Sequence, residues 1–300
     1  MDHGRRRNAK CSVLLLAAAA LLSGCTGAPK DLSPATPADN HPVSAAVDQG
    51  RAHYTDRVVN LLITNISKDP VLVTSASLHS ALYAGAADWK PTRIGGTRVA
   101  AGSTVSLPAE LPPAQCSAGE PAEAATHQMT VTMDSERSGL STVEVPAGDP
   151  HNVLSRNHSE DCLAQAAASV AELRVDQTLK VLPGSGSAVV GIEVEPSGGK
   201  ASMVIESFGT TTLLDEDGKH PWPRNLRVHG SDPSSRLSLH IVPMRCDQHA
   251  LAEDKLGTRI PVSIAAGSWH GILRLDAGHD FDRAVYRFIT DACAAAGQVG

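Results

Sequence analysis

The sequence predicts a mainly β protein, built as two tandem antiparallel β-sandwich units with short helices behind a leader and a tether. Three observations predict it. Apolar residues alternate with period two, as in Val59, Leu61, Ile63 and in Val190, Ile192, Val194. Clusters of Pro, Gly, Asn and Asp separate these runs, for example Ser67-Lys68-Asp69-Pro70 and Ser197-Gly198-Gly199. Short alternating runs bounded by turn residues are the pattern of sandwich strands. Finally, two cysteine pairs recur at a fixed offset: Cys116 and Cys162 are 46 apart, Cys246 and Cys293 are 47 apart.

The amino terminus comes first. Arg5, Arg6, Arg7 and Lys10 form a positive segment, Val13 to Leu22 an apolar run of ten residues, and Leu22-Ser23-Gly24-Cys25 closes it. This is the three-part layout of a signal peptide over residues 1–24. Ten residues span about 15 Å as a helix, half of a hydrocarbon core, so the run is too short for a permanent membrane span. The LLSGC ending resembles the lipobox of bacterial lipoproteins. The resemblance implies that Cys25 is alkylated by a diacylglyceryl group and becomes the acylated first residue. Two acyl chains give stable attachment, at about 0.8 kcal/mol per buried CH₂. The expected address is therefore extracytoplasmic, on the outer face of the plasma membrane.

Residues 25–45 follow as a lipidated tether rich in Pro, Ala, Asp and Ser. Without an apolar period they read as flexible, with a reach of roughly 60 Å at about 3 Å per residue. The sandwich units are expected over 46–166 and 167–300. An offset of 130 or 131 residues carries the first cysteine pair onto the second. It also carries Leu107 to Leu237, Leu111 to Ile241, Pro113 to Pro243, Val58-Val59 to Val189-Val190 and Ile63 to Val194. Met129, Val131 and Met133 fall on Ile260, Val262 and Ile264. Several segments in one register mark an internal duplication. The stretch LLITNISKDPVLVTSASL resembles the paired strands of bacterial immunoglobulin-like domains, which implies the architecture and no activity. Helices are expected over Ser159–Leu173, and over Asp247–Lys255 with Gly257 as its stop.

Even, repeated cysteines behind an export signal read as bridges. The pairing expected is Cys116 with Cys162 and Cys246 with Cys293; the alternative crosses the repeat and staples the units together.

The chain carries 26 Lys+Arg and 32 Asp+Glu, and loss of the leader removes four of the first and one of the second, leaving a net charge of −9. Such a surface argues against nucleic acid or anionic lipid as partner. Nine aromatic residues shared between two cores leave few for a glycan platform. No Gly-x-Ser-x-Gly, His-Glu-x-x-His, Walker or Cys-x-x-Cys motif occurs. Ser197-Gly198-Gly199-Lys200 matches Ser-x-x-Lys of the penicillin-recognising enzymes, yet lies between strand patterns with two glycines, so it reads as a turn. His127, Met129, Val131 and Met133 share a strand face that would suit copper. Their repeat counterparts are Thr258, Ile260, Val262 and Ile264, so they read as core. Leu214-Asp215-Glu216-Asp217-Gly218-Lys219 lacks the alternating ligands of a calcium loop and reads as a solvated hairpin turn.

One segment separates the copies. Asp247, His249 and Glu253 precede or lie on the expected helix, His249 and Glu253 four apart on one face, where the first unit has Ser117-Ala118-Gly119-Glu120-Pro121. They form either a ligand site or the wet face of a capped helix. No cofactor and no metal site is expected. The function expected is a non-catalytic binding or scaffold module for an envelope protein, wall component or small ligand. The alternatives are an envelope hydrolase with a noncanonical site and a metal-handling lipoprotein. Cys25→Ala is expected to abolish acyl labelling and leave uncleaved precursor or shed protein; unchanged labelling and membrane retention would refute the lipobox.

Overall fold

The computed structural model describes residues 41–300, apart from 51, 52, 55, 92–94, 117–124, 138, 248–250, 252–256 and 298–300. Cys25, most of the tether, His249 and Glu253 lie outside the described residues.

Alternation in the sequence becomes alternation in burial. In β1 (Val43–Asp48) and β2 (Val58–Asn65) the side chains of Val43, Val47, Val59, Leu61 and Ile63 turn inward, at 2 % exposure or less. The strand pleat sends every second side chain to the same face, so a period-two pattern buries one face only. β1 takes in Val43, Ser44 and Ala45, which the sequence gives to the tether. Burial of Val43 and pairing of Val43 with Asn65 hold these residues in the sheet. The Ser67–Pro70 turn is tied by Asn65, whose Nδ2 donates to the carbonyls of Asp69 and Val99 while its Oδ1 accepts from the Ser67 backbone and hydroxyl.

Then follow β3 (Val71–Ser80), β4 (Ala86–Asp88), β5 (Thr97–Val99), β6 (Thr104–Glu110), β7 (His127–Ser135) and β8 (Gly139–Gly148). They join β1 and β2 in one sheet of order β4-β3-β7-β8-β1-β2-β6, with β5 on β3. The contact of β8 with β1 is parallel, at Ala45–Ala147 and Ala46–Gly148; all other pairs are antiparallel. Met129, Val131 and Met133 are buried in the core this sheet wraps, as their repeat counterparts require.

The second half repeats the plan with β9 (Ala171–Val175), β10 (Lys180–Leu182), β11 (Ser187–Pro196), β12 (Ser202–Phe208), β13 (Leu214–Glu216), β14 (Leu226–His229), β15 (Ser235–Pro243), β16 (Ile260–Ala266) and β17 (Trp269–Leu275). One sheet runs β10-β11-β15-β13 with β9 on β11, the other β14-β12-β16-β17, and buried residues of both form one core. The correspondence between the halves extends to register. Leu61 pairs with Leu107 as Ile192 pairs with Leu237, and both β3 and β12 bulge against their partners, between Val73 and Ser75 and between Ile205 and Ser207. Ser197–Lys200 is the turn between β11 and β12. Residues 214–216, expected in a turn, are a strand, because Leu214 is fully buried and pairs with Pro243.

Among the described residues, two long helices complete the fold. α1 spans Val153–Ala168, six residues ahead of the expected start at Ser159, because the Asp149 carboxylate accepts from the backbone N–H groups of Val153 and Leu154. Those donors have no partner inside the helix, and an acidic cap fixes the first turn there. Ala171 to Leu173 leave the helix for β9, where they pair with Pro196 to Val194. α2, His279–Ala295, has no counterpart in the sequence reading; it buries Phe281, Val285, Phe288, Ile289 and Cys293 in the second core.

Disulfides join Cys116 to Cys162 and Cys246 to Cys293, the pairing within each half. Each closes a loop worth about 4 kcal/mol in the chain-entropy account.

The 166/167 division falls inside α1, and α1 serves both halves. Val153 and Leu154 are buried in the first core, Leu163 and Ala167 in the second. The first half grips it through Cys116–Cys162, the half-buried Arg57–Asp161 pair, Tyr83 Oη donating to the Leu154 carbonyl at 2.8 Å, and Asn157 Nδ2 donating to Gln49 at 2.9 Å. The second half receives it at Trp269, whose ring meets His158 edge-on at 5.8 Å, and at Arg274, 3.6 Å from Glu160. Gly271 of β17 leaves the room: a Cβ there would stand 3.3 Å from Leu163 Cδ2.

Leu154→Ala and Leu163→Ala should each cost about 2–5 kcal/mol, the usual range for a buried leucine. Since one helix fills both cores, both variants should shift a single calorimetric transition; two transitions, each moved by only one variant, would show that the halves unfold independently.

Candidate functional site

Two places in the second half gather polar chemistry. The first sits on the β13–β15 pair. Asp215–Val242 and Glu216–Ile241 continue the ladder, and the Asp217 N–H donates to the His240 carbonyl at 3.0 Å. A tight turn follows, closed by His220 N donating to the Asp217 carbonyl at 2.8 Å and Lys219 N donating to Asp217 Oδ1 at 3.1 Å. The turn returns His220 over the strand, where its ring stacks on His240 with centroids 4.2 Å apart and planes 18° from parallel. His220 Nδ1 lies 2.9 Å from Asp217 Oδ2. One nitrogen or oxygen of each of Asp217, His220 and His240 falls within 4.8 Å of the others.

Trp222 locks the arrangement from below. Its ring is buried and its Nε1 donates to the same His240 carbonyl at 2.7 Å, while Glu216 accepts from the Trp222 backbone N–H and from Arg224. Gly218 and Lys219 form the exposed turn expected from the sequence, but the side chains of Asp217 and Glu216 are only 13 % and 21 % exposed. The reason is tertiary: β15 and the Trp222 segment cover them. His240 Nδ1 is shut off from solvent and has no hydrogen-bond partner. Leaving such a group unsatisfied costs about 1–3 kcal/mol. Chemically, two imidazoles and a carboxylate form a ligand set for a divalent transition metal. The sequence did hold a signal, Asp217-x-x-His220 in a turn. Nothing local shows that His240 meets it.

The second place is a groove of about 520 Å³ lined by Thr210, Thr211, Thr212, Met244, Arg245, Arg259, Pro261, Ile272 and Arg274. Met244 and Ile272 stand 48 % and 47 % exposed, large apolar groups amid guanidinium groups. Arg259 pairs with Asp276 at 3.1 Å and Arg274 with Glu160, which ties one wall to α1. Thr211 fixes the other wall through its hydroxyl, which donates to the Gly257 carbonyl at 2.6 Å and accepts from the Leu213 and Leu214 N–H groups.

Of the residues named from sequence, Asp247 is exposed irregular chain just after Cys246, beside Arg245 of this groove. His249 and Glu253 lie outside the described residues. His127, on the strand face it shares with Met129, Val131 and Met133, is half-buried with Nδ1 3.0 Å from the Ser80 hydroxyl, and burial lowers its pKa.

No family model matches the chain, and no curated protein matches it. Among solved structures, the YadV chaperone aligns at 12 % identity over 73 % of this chain and 92 % of its own, with a TM-score of 0.18. The calcium binding domain CBD12 of CALX1.1 aligns at 9 % identity over 71 % and 75 %, with a TM-score of 0.21. The secreted serine protease VesC from Vibrio cholerae aligns at 10 % over 66 % and 42 %, with a TM-score of 0.19. Similarities at these scores carry no argument about fold or activity.

The hydrogen bond to His220 holds the Asp217 carboxyl below the usual carboxylate range, helped by the Lys219 N–H. A carboxyl depressed in the folded state adds stability above its unfolded pKa and loses it as pH falls through the folded value. His220→Ala should therefore raise the Asp217 pKa, read by NMR titration, and narrow that acid-side loss; an unmoved titration would show that His220 is not the cause.

Proposed function

We propose that the protein is a lipid-anchored extracytoplasmic binding module. Its two tandem sandwiches are immunoglobulin-like, joined as one body by α1, and the Met244–Ile272 groove is its binding face. The groove is the observation that carries the reading. Exposed apolar side chains ringed by arginine are the composition of interface hot spots, and here they stand in a chain of net charge −6. A local cationic patch on an acidic body selects a partner with an acidic, partly apolar surface. An envelope protein or wall component fits that description, and nucleic acid does not fit the remainder of the surface.

Two structural facts support the address. Disulfides of this kind persist in oxidising, extracytoplasmic surroundings. No helix among the described residues is long and apolar enough to cross a membrane. In this reading the acyl chains on Cys25 supply the attachment, with the tether holding the body off the bilayer. The threonine and arginine walls are pinned by their own hydrogen bonds and ion pairs, so the groove loses little freedom on binding.

A photoreactive side chain at Ile272 should yield a discrete crosslinked product in intact envelopes. The same group at Leu140, 71 % exposed in the first half, should not. Equal products from both positions, or none from Ile272, would overturn the groove assignment. A turnover activity abolished by a point substitution would overturn the binding-module reading itself.

A further inference from the structure

None of Asp217, His220 and His240 lines the groove. We propose that these three residues bind one divalent transition-metal ion of the imidazole-preferring class, Zn²⁺ being the test ion. Three observations carry this beyond a chance cluster. The donors are two imidazoles and a carboxylate, the set that suits zinc, copper, nickel or iron and not calcium or magnesium. They already converge within 4.8 Å. And His240 Nδ1 is buried without a partner, whereas the carbonyl of the same residue accepts from both Trp222 Nε1 and Asp217 N.

Geometry asks for a modest adjustment. Ligands about 2.1 Å from a tetrahedral ion stand roughly 3.4 Å apart. The donors all lie within 4.8 Å of one another, so reaching that spacing needs a shift of at most roughly 1.4 Å. The side chain of His220 is 53 % exposed and sits on a turn, so its ring can rotate out of the stack. Asp217 and His240 are the fixed members, held by the ladder hydrogen bond between them and by Trp222. The hydrogen bond from His220 to Asp217 keeps two of the ligands together until the ion replaces its proton. Three protein ligands leave a coordination position for water or for a donor from a partner.

The repeat shows that the fold does not require this set. At an offset of 130 residues the corresponding positions are Ala87, Lys90 and Glu110, which cannot make an equivalent site. One copy carries the donors and the other does not, as expected for a site added to a duplicated frame.

Calorimetric titration of the purified, chelator-treated protein with zinc chloride should give one ion per chain, undisturbed by excess Ca²⁺ or Mg²⁺. His220→Ala should weaken binding at least about tenfold, the scale on which even the supporting partners of metal ligands act. His220 is exposed, so that variant keeps its fold, and an unchanged circular dichroism spectrum confirms it. His240→Gln should do the same, while His151→Ala, on the exposed histidine beside Asp48, should bind as the parent does. Absence of stoichiometric binding, or binding unaffected by both His220→Ala and His240→Gln, would overturn the site.

Discussion

A single helix contributes to two cores at once, and the rest of the structure is arranged around that constraint. α1 must present Leu154 to the first core and Leu163 to the second, so neither half can shift without exposing one of them. The first half fixes the helix covalently and with a half-buried ion pair, the second by apolar contact, an edge-on ring and an exposed ion pair. Apolar burial is strong but non-directional. The directional contacts on the first side therefore set the helix axis, and the second half packs onto what that axis offers.

The same coupling places the groove. Arg274 belongs to β17 and reaches Glu160 of α1, while Arg259 immediately precedes β16. One wall is thus continuous with the joint between the halves. The other comes from residues 210–212 before β13, the strand that leads into the Asp217–His220 turn. Partner groove and ligand cluster sit at opposite ends of one short strand. β15 makes a second link, since it carries His240 and leads directly into Met244 and Arg245 of the groove.

The halves share a pattern of strand pairing, and small differences show how they diverge. Both copies keep the β2–β6 and β11–β15 register and the bulge in β3 and β12. The first copy has a ten-residue β8, long enough to pair in parallel with β1 and join its sheets. The seven-residue β17 makes no such pair, and its face is covered by α1 instead. A swap of edge pairing for helix packing satisfies the demand that an exposed strand be paired or covered.

The sequence by itself determined the long alternating strands, the correspondence between the halves and the equal spacing of the two cysteine pairs. Those follow from alternation and spacing, which are local or one-dimensional, and a buried face enforces register strictly. It did not determine where α1 begins, because Asp149 caps it from outside the apolar pattern, nor did it reveal α2. It could not show that α1 spans both cores, since Leu154 and Leu163 have the same residue type and differ only in what packs on them. His240 alternates onto the outward face of β15 and reads as exposed; only the β13–β15 pairing and the return of residues 217–222 bury it beside His220. Side chains distant in sequence become a site through contacts that no local pattern encodes, and that part was decided by tertiary structure.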